Sequence, residues 1–223
     1  PDAVYCEQCV SVSGPNASTA HDGTFTIRNV PPGTYWLTVE KGQFRLEREI
    51  TLGDGETRTL EASRTTLPSV HDPARGQYVP RIAIATGQHD ALEDVIGKMG
   101  IGSVDSNGEF TSGPGAERID FYDNGGRDDV PGMVGTLEDL VRDQARMMQY
   151  HIIFIPCAGS DHTDALQDTA VLNNLRAYVA AGGKLYVTDW SGEWMDNVFP
   201  AFVELGEDED TPPEAYDPER ERW

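Results

Sequence analysis

Asn173-Asn-Leu-Arg-Ala-Tyr-Val-Ala-Ala-Gly-Gly-Lys-Leu-Tyr-Val-Thr-Asp-Trp-Ser-Gly-Glu193 is the stretch that decides the fold of the second half of the chain. Its first part has the apolar spacing of an amphipathic helix, and Gly182-Gly183 is a helix stop signal. The residues from Lys184 to Asp189 then read as a buried strand. Ligands of open α/β sheets bind beyond the carboxyl ends of the strands. The pattern therefore places Asp189 where a ligand would meet the protein.

The same alternation of strand and helix patterns extends upstream to about residue 80. The apolar runs 81–87 and 150–157 read as strands, each followed by a helical pattern, and a further helix is predicted near 137–148. A short strand is predicted over 118–122. Buried strands that alternate with helices indicate a parallel sheet with right-handed crossovers. We expect a three-layer α/β domain over residues 80–205.

The first 66 residues follow a different pattern, with a period of two. Three segments, 24–28, 34–40 and 44–50, alternate or nearly alternate and are rich in aromatic and β-branched residues. Turn signals such as Pro31-Pro32-Gly33 lie between them. We expect a small antiparallel sandwich over residues 1–66, and therefore a two-domain chain that combines an all-β and an α/β domain.

Two segments are predicted to lie outside these domains. Residues 67–79 contain Pro68, Pro73 and Gly76 and read as a linker. Residues 206–223 hold 8 acidic and 2 basic residues and read as a solvated acidic tail.

The segment Asp22-Gly-Thr-Phe-Thr-Ile-Arg-Asn-Val-Pro-Pro-Gly-Thr-Tyr35 resembles the carboxypeptidase regulatory-like family, whose fold is a transthyretin-like β-sandwich. The resemblance covers about the first 65 residues. Such modules are usually non-catalytic parts of extracytoplasmic proteins. The resemblance therefore implies a secreted, periplasmic or cell-surface protein.

Residues 80–200 resemble the flavodoxin-like core of the class I glutamine amidotransferase-like group. The resemblance rests on Tyr150-His-Ile-Ile-Phe-Ile-Pro-Cys-Ala-Gly159, on the following helix through Gly182-Gly183, and on the next strand. Enzymes of that group carry a nucleophilic cysteine on a strained turn directly after this strand. Here the turn reads Thr188-Asp-Trp-Ser-Gly192, so the family's chemistry is not expected. The two domains together resemble bacterial envelope proteins of unassigned function.

The composition is strongly acidic. The chain has 38 Asp and Glu against 17 Lys and Arg, and the first 79 residues contribute only 10 of these acids and 7 of these bases. An acidic surface repels phosphate backbones and anionic lipids, so we expect no nucleic-acid partner. No apolar run approaches the length of about 18 residues that spans a bilayer. A protein or glycan surface partner is expected, with the oligomeric state open.

The predicted ligand-binding residues follow three strands of the parallel sheet. Because carboxyl ends of parallel strands share one edge, we expect their side chains to emerge together: Gln88, His89, Ser160, Asp161, Asp189 and Trp190. Local structure is an alternative explanation for part of the set. Ser160-Asp161-His162 is typical of a helix cap, and Asp90 is a candidate N-cap of the preceding helix.

The three cysteines have separate interpretations. Cys157 ends an apolar strand and is expected to be a core thiol; a nucleophile with His89 or His162 as base is the alternative. Cys6 and Cys9 form Cys-Glu-Gln-Cys, which is consistent with a redox pair, half a zinc site or a local disulfide. In an exported protein the disulfide is the favoured interpretation.

An acidic, turn-rich loop is the one candidate metal site. Asp120, Asp123 and Asp128 offer carboxylate oxygens, which calcium prefers, although the spacing matches no complete EF-hand loop. A solvated turn is the competing interpretation. No cofactor other than calcium is expected.

The functional expectation is a non-catalytic extracytoplasmic protein with a binding, adhesion or scaffolding role. One alternative is a hydrolase or amidotransferase relative whose site has been rebuilt from Asp189, His89 and, as a further candidate, Cys157. Another is a calcium-stabilised adhesive module.

Overall fold

The computed structural model describes residues 12–111, 118–125, 130, 132–160 and 162–203, which divide into two compact units. The smaller unit comprises residues 12–68 and Asp72–Tyr78. The larger unit comprises Ser69–His71 and the described residues from Val79 onward.

The smaller unit contains a three-stranded antiparallel sheet. Strands β1 (Gly33–Lys41) and β2 (Phe44–Leu52) form a hairpin, and β3 (Gln77–Tyr78) pairs with β2 on its other side. Gly42, with φ of 55°, supplies the left-handed conformation that the tight turn requires. Alternate side chains are buried on one face, where Leu46 is completely enclosed.

The predicted strand over 24–28 is not part of this sheet, so the described part of the unit has one antiparallel sheet where a sandwich of two was expected. Local hydrogen bonds replace strand pairing at the start of the segment, where Asp22 accepts from both the amide and the hydroxyl of Thr24. At its end Asn29 adopts a left-handed φ of 59°, and Pro31 and Pro32 have no amide hydrogen to donate.

The segment predicted as a linker, residues 67–79, is in part a structured element of the smaller unit. Part of it, Asp72–Tyr78, belongs to the smaller unit and supplies β3. A turn over Pro73–Arg75 reverses the chain, and the amide of Glu47 in β2 donates to the carbonyl of Gly76 at 2.8 Å. The proline and glycine that suggested a linker are turn residues before a short strand.

The larger unit is built on a parallel sheet, as the sequence pattern predicts, and the sheet has five strands, one more than the pattern showed. The strands are β4 (Ile82–Thr86), β5 (Ile119–Asp123), β6 (Met133–Thr136), β7 (Ile152–Ile155) and β8 (Lys184–Val187). Their spatial order is β6-β5-β4-β7-β8. Every residue of β4 is buried, as expected for a central strand that is covered on both faces.

Helices cover both faces of this sheet. They are α1 (Leu92–Lys98), α2 (Leu137–Arg142), α3 (Gln144–Met147), α4 (Thr163–Leu166), α5 (Thr169–Ala180) and α6 (Glu193–Val198). Strand residues alternate between two apolar clusters: Ile84 packs with α1, and Ala85 packs with α2 and α5. The result is the predicted three-layer arrangement. No helix in the described ranges is long and apolar enough to cross a membrane.

The predicted helix near 137–148 is divided in two by an aspartate, and a second aspartate separates the two helices that follow β7. Asp143 separates α2 from α3 and accepts the amide of Arg146, and Asp168 separates α4 from α5 and accepts the amide of Ala170. Each aspartate has non-helical backbone angles and acts as the N-cap of the second helix.

The Gly-Gly stop after α5 has two distinct physical functions. The amide of Gly182 donates to Val179, and that of Gly183 donates to Tyr178, which is the Schellman pattern of a helix end. Gly182 takes the left-handed φ of 103° that this pattern requires. A Cβ on Gly183 would lie 2.3 Å from the ring of Tyr178. The second glycine is therefore needed for close packing.

The strand order differs from the flavodoxin-like one. Numbered in chain order the strands stand 3-2-1-4-5, whereas the flavodoxin-like order is 2-1-3-4-5. The edge strand β6 makes the difference. It pairs with β5, at Phe121 and Asp123, whereas the flavodoxin-like order would place the third strand on the other side of the first. The other four strands stand in the order 2-1-3-4.

A buried polar cluster lies near the amino end of β4. Arg81 donates to Oδ2 of Asp120 through Nε at 3.0 Å and Nη2 at 2.7 Å. The hydroxyl of Tyr150 donates to the same oxygen at 2.8 Å, and it also contacts the hydroxyl of Tyr122 at 2.7 Å. Burial and these neighbours raise the pKa of Tyr150. The cluster joins β4, β5 and the start of β7 through one carboxylate.

We predict that Asp120→Asn lowers the free energy of unfolding by about 2 kcal/mol, because the guanidinium of Arg81 loses its counter-charge in a partly buried setting. Urea unfolding followed by circular dichroism measures the change. Asp164→Asn removes the same charge at an exposed position of α4 and should alter stability by less than about 0.5 kcal/mol. Equal effects of the two substitutions would contradict the role given to Asp120.

His151 is buried beside this cluster, and its Nδ1 accepts the amide of Arg81 at 2.9 Å. Burial lowers the pKa of His151 from its usual 6.5 to about 4, and the charges of Arg118 and Lys184 act in the same direction. The unfolded chain therefore binds a proton that the folded protein does not bind between these two values. Stability that is fully present above pH 6.5 is lost as the pH falls toward 4.

We predict that His151→Asn, which keeps an acceptor for Arg81 and does not titrate, weakens this acid sensitivity. Between pH 7 and pH 4.5 the wild type should lose on the order of 2 kcal/mol more unfolding free energy than the variant. Denaturant titrations at a series of pH values provide the comparison. Parallel pH profiles of the two proteins would show that His151 is not responsible.

Candidate functional site

The loops after β4, β7 and β8 meet at the carboxyl edge of the parallel sheet. The amide of His89 donates to the carbonyl of Cys157 at 3.3 Å. The hydroxyl of Ser191 donates to the carbonyl of Pro156 at 2.8 Å. These bonds join the first and third loops to the middle one, so residues of β4 and β8, which are not neighbours in the sheet, approach one another.

The hydroxyl of Thr188 is the centre of this junction. It accepts the amide of Cys157 at 2.9 Å and donates to the carboxylate of Asp90. One side chain therefore connects all three loops. The residue expected to cap α1, Asp90, is used in this bond, and α1 begins after Ala91 with no side-chain cap.

The close approach of the loops depends on Gly87. A Cβ at this position would lie 2.2 Å from the carbonyl oxygen of Cys157, and a backbone atom cannot easily move away. At Gly159 a Cβ would meet only Oε1 of Gln88, at 3.0 Å, which is the end of a flexible side chain. A side chain is therefore excluded at position 87, whereas a small one can be accommodated at position 159.

Asp189 lies directly after β8 and has a left-handed backbone with φ of 45°. A non-glycine residue in this region costs on the order of 1 kcal/mol, less for Asp than for most residues. The next residues form a short 3-10 turn, Asp189–Gly192, that leads into α6. Asp189 thus begins a strained strand-to-helix turn that carries a carboxylate.

Cys157 is buried, 2% exposed, and its thiol contacts the carboxylate of Asp189 and the amide of Trp190. Burial raises the pKa of Cys157, and the carboxylates of Asp189 and Asp90 raise it further, against the effect of the Trp190 amide. A raised pKa keeps the sulfur protonated near neutral pH, which is the opposite of what a nucleophile needs. The expected core thiol fits this arrangement.

Four of the predicted ligand residues have exposed side chains at this edge: Gln88, His89, Asp189 and Trp190. The indole of Trp190 is 46% exposed. Its ring centroid lies 5.6 Å from that of His89, with an angle of 74° between the planes. The two rings form a corner that is open to solvent.

The remaining predicted residues behave differently. Ser160 lies against Gly125, where a Cβ would be 1.9 Å from its hydroxyl oxygen. Asp161 lies outside the described residues. The cap expected from this tripeptide is not formed by His162, which stands at the N-cap of α4 with a left-handed φ of 45° and no side-chain cap bond.

A second cluster at the same edge joins His162, which the sequence suggested as a cap residue or a base, to partners that the sequence pattern did not indicate. Nε2 of His162 lies 2.5 Å from Oδ1 of Asn124, and Nδ1 lies 3.5 Å from a carboxylate oxygen of Glu138. The imidazole also packs 5.3 Å from the ring of the buried Trp194. The amide of Asn124 donates to the carbonyl of Pro156 at 3.3 Å. This cluster fixes the β5 loop to the β7 loop.

The expected metal residues are not brought together as predicted. Asp120 is bound to Arg81 and Tyr150, and it projects from the opposite face of β5 to Asp123, since the two are three residues apart in a strand. Asp123 accepts the amide of Gly125 at 2.8 Å in a local turn. Asp128 lies outside the described residues. The described ranges contain no group of three or more potential metal ligands among His, Cys, Asp and Glu.

The predicted Cys6–Cys9 disulfide also lies outside the described residues, so it stays a prediction. Within the described ranges Cys157 is a free cysteine.

Fold and site together define a two-unit protein that combines an antiparallel β module with a parallel α/β sheet, whose carboxyl-edge loops are joined by internal hydrogen bonds. Residues 9–65, about a quarter of the chain, match the family model of the carboxypeptidase regulatory-like domain. The N-terminal resemblance is thus confirmed at the level of the domain. Neither the curated proteins nor the solved structures contain a match to the chain.

We predict that Gly87→Ala lowers the free energy of unfolding by at least about 2 kcal/mol, because the new methyl group collides with the backbone of the β7 loop. Gly159→Ala, the matched control, should change stability by less than about 1 kcal/mol, since the side chain of Gln88 can move. Chemical denaturation of both variants measures the difference. A Gly87→Ala protein as stable as the control would refute the close packing of these loops.

Proposed function

We propose that this protein is a non-catalytic binding protein that works outside the cytoplasm, in a surface-interaction or scaffolding role. The observation that carries the proposal is the residue on the strained turn after β8. Amidotransferase-like enzymes need a thiol there, and this chain presents the carboxylate of Asp189.

The hydrogen bonding of the edge supports a binding role over catalysis. Thr188, Asp90 and Ser191 are used in bonds that hold the loops together. A general base needs a free path to the proton that it removes, and a nucleophile needs a neighbouring base. Cys157 has neither the exposure nor the lowered pKa of an activated thiol.

Two observations support the remaining parts of the proposal. Carboxypeptidase regulatory-like modules are usually found in proteins outside the cytoplasm, which favours an extracytoplasmic location for a chain whose residues 9–65 match that model. A parallel sheet covered by helices on both faces supports a relationship of the α/β unit to doubly wound cores, the class to which the amidotransferase-like core belongs, although its strand order 3-2-1-4-5 is the other common order of that class.

A hydrolase with a rebuilt site is the second candidate, and the backbone of Asp189 favours it. Left-handed non-glycine residues cluster at functional sites, and a carboxylate can act as a nucleophile in covalent catalysis. His89 is the candidate base, because its side chain is exposed and its ring packs against that of Trp190, the residue after Asp189. This candidate no longer includes Cys157 as the nucleophile.

Assays of the purified protein with amide, ester and glycosidic substrates separate the two candidates. The binding proposal expects no turnover above that of an Asp189→Ala variant. Turnover that disappears in Asp189→Ala and persists in Asp164→Ala would establish the hydrolase instead.

We predict that Cys157 reacts with thiol reagents at the rate of protein unfolding, because the thiol is buried and its pKa is raised. The experiment uses a protein in which Cys6 and Cys9 are replaced by serine, so that one thiol is followed. Labelling should speed up on addition of denaturant. Rapid labelling of the native protein at pH 7 would identify an activated nucleophile and remove the main support for a non-catalytic role.

A further inference from the structure

The exposed surface formed by Gln88, His89, Asp189 and Trp190, which we term the edge surface, combines an aromatic corner with polar side chains. Its residues lie on the loops after β4 and β8, whose backbones are held in place by hydrogen bonds. The amide of Ser191 donates to the carbonyl of Thr188 at 3.0 Å, and the hydroxyl of Ser191 is buried and bonded. Trp190 stands between Asp189 and Ser191 and is therefore fixed at its backbone before any ligand arrives.

The polar residues of the edge surface are exposed and lie beside the rings, and the carboxylate of Asp189 also contacts the thiol of Cys157. The side-chain amide of Gln88 lies over Gly159, which has no side chain to cover it. The imidazole of His89 forms one wall of the corner and the indole of Trp190 the other, at 74°. The carboxylate of Asp189 begins the turn that carries Trp190. Donors and acceptors therefore border an apolar ring face.

This chemistry matches a sugar ring. A pyranose has an apolar face of C–H groups that can lie on an indole, and a rim of hydroxyls that pair with carboxylate, amide and imidazole groups. The size of the surface favours a small ligand, because Trp190 is the one large exposed apolar side chain of the described edge loops. A protein interface usually buries a cluster of such anchors.

The negative charge of the chain disfavours anionic saccharides as ligands. Residues from 80 onward hold 28 acidic and 10 basic residues, and the edge surface itself presents the carboxylate of Asp189. This field repels sulfated, phosphorylated and carboxylated sugars. We infer that the edge surface binds a neutral glycan. This ligand class depends on the proposed binding function, which it makes more specific.

The test uses the full chain and isothermal titration calorimetry with mannohexaose, cellohexaose and chitohexaose as neutral probes and a heparin hexasaccharide as the anionic probe. Binding of at least one neutral probe is expected. Trp190→Ala should weaken that binding by about tenfold or more, which corresponds to about 1.4 kcal/mol. Trp190→Phe, which keeps a flat ring, should retain most of it.

Trp36→Ala is the matched control, because Trp36 is also an exposed tryptophan, 67% exposed, and lies in the smaller unit. It should leave the affinity unchanged. The inference is overturned by the absence of binding to every neutral probe at millimolar concentration, by equal affinities of Trp190→Ala and the wild type, or by stronger binding of heparin.

Analysis of the probes after incubation distinguishes the failure of the two proposals. Intact probe with no binding overturns the glycan inference and leaves the non-catalytic role standing. Cleavage of a neutral probe that Asp189→Asn abolishes overturns the non-catalytic role.

Discussion

The geometry of the carboxyl edge depends on the hydroxyl of Thr188. By accepting one amide and donating to one carboxylate, it joins the ends of three strands that would otherwise diverge with the twist of the sheet. The bond can form because Gly87 lets the β4 loop lie against the carbonyl of Cys157. The exposed side chains at this edge thus project from a backbone that is fixed by buried hydrogen bonds. Ligand binding would therefore cost little backbone conformational entropy.

The parts of the fold that could be read from the sequence are those with enough residues to show a period. The strand β4, four of whose five residues are apolar, and the amphipathic helix α5 are of this kind. The strand β3 has two residues, too few for a pattern. The strand β6, Met133-Val-Gly-Thr136, contains a glycine and follows Pro131-Gly132 in sequence, so it reads as a loop, and it is the strand that alters the order of the sheet. The aspartates that divide the helices lie within otherwise continuous apolar periodicity, so local capping outweighed it.

The residues of the candidate site divide in the same way, between those that a local sequence pattern indicates and those that depend on contacts between distant parts of the chain. A strand's end is a local property, and the sequence therefore placed Gln88, His89, Asp189 and Trp190 at the edge. The bond between Thr188 and Asp90 joins residues 98 positions apart, and no local pattern reports it. The same holds for the contact of His162 with Asn124. Asp120 was counted among the loop carboxylates of the candidate metal site although it also falls in the predicted strand 118–122, and in that strand it faces Arg81.

The position of β4 at the centre of the sheet has a consequence for synthesis of the chain. Both neighbours of β4 follow it in sequence, and β7 begins about 70 residues later, with Arg81 and His151 as the first contact of that pair. On the ribosome the smaller unit can close its hairpin early, whereas β4, every residue of which is buried in the folded protein, waits with both edges open for partners that have not yet been made. Residues 87–151, made during that interval, hold 13 acidic and 5 basic residues, and this like charge opposes association between neighbouring nascent chains.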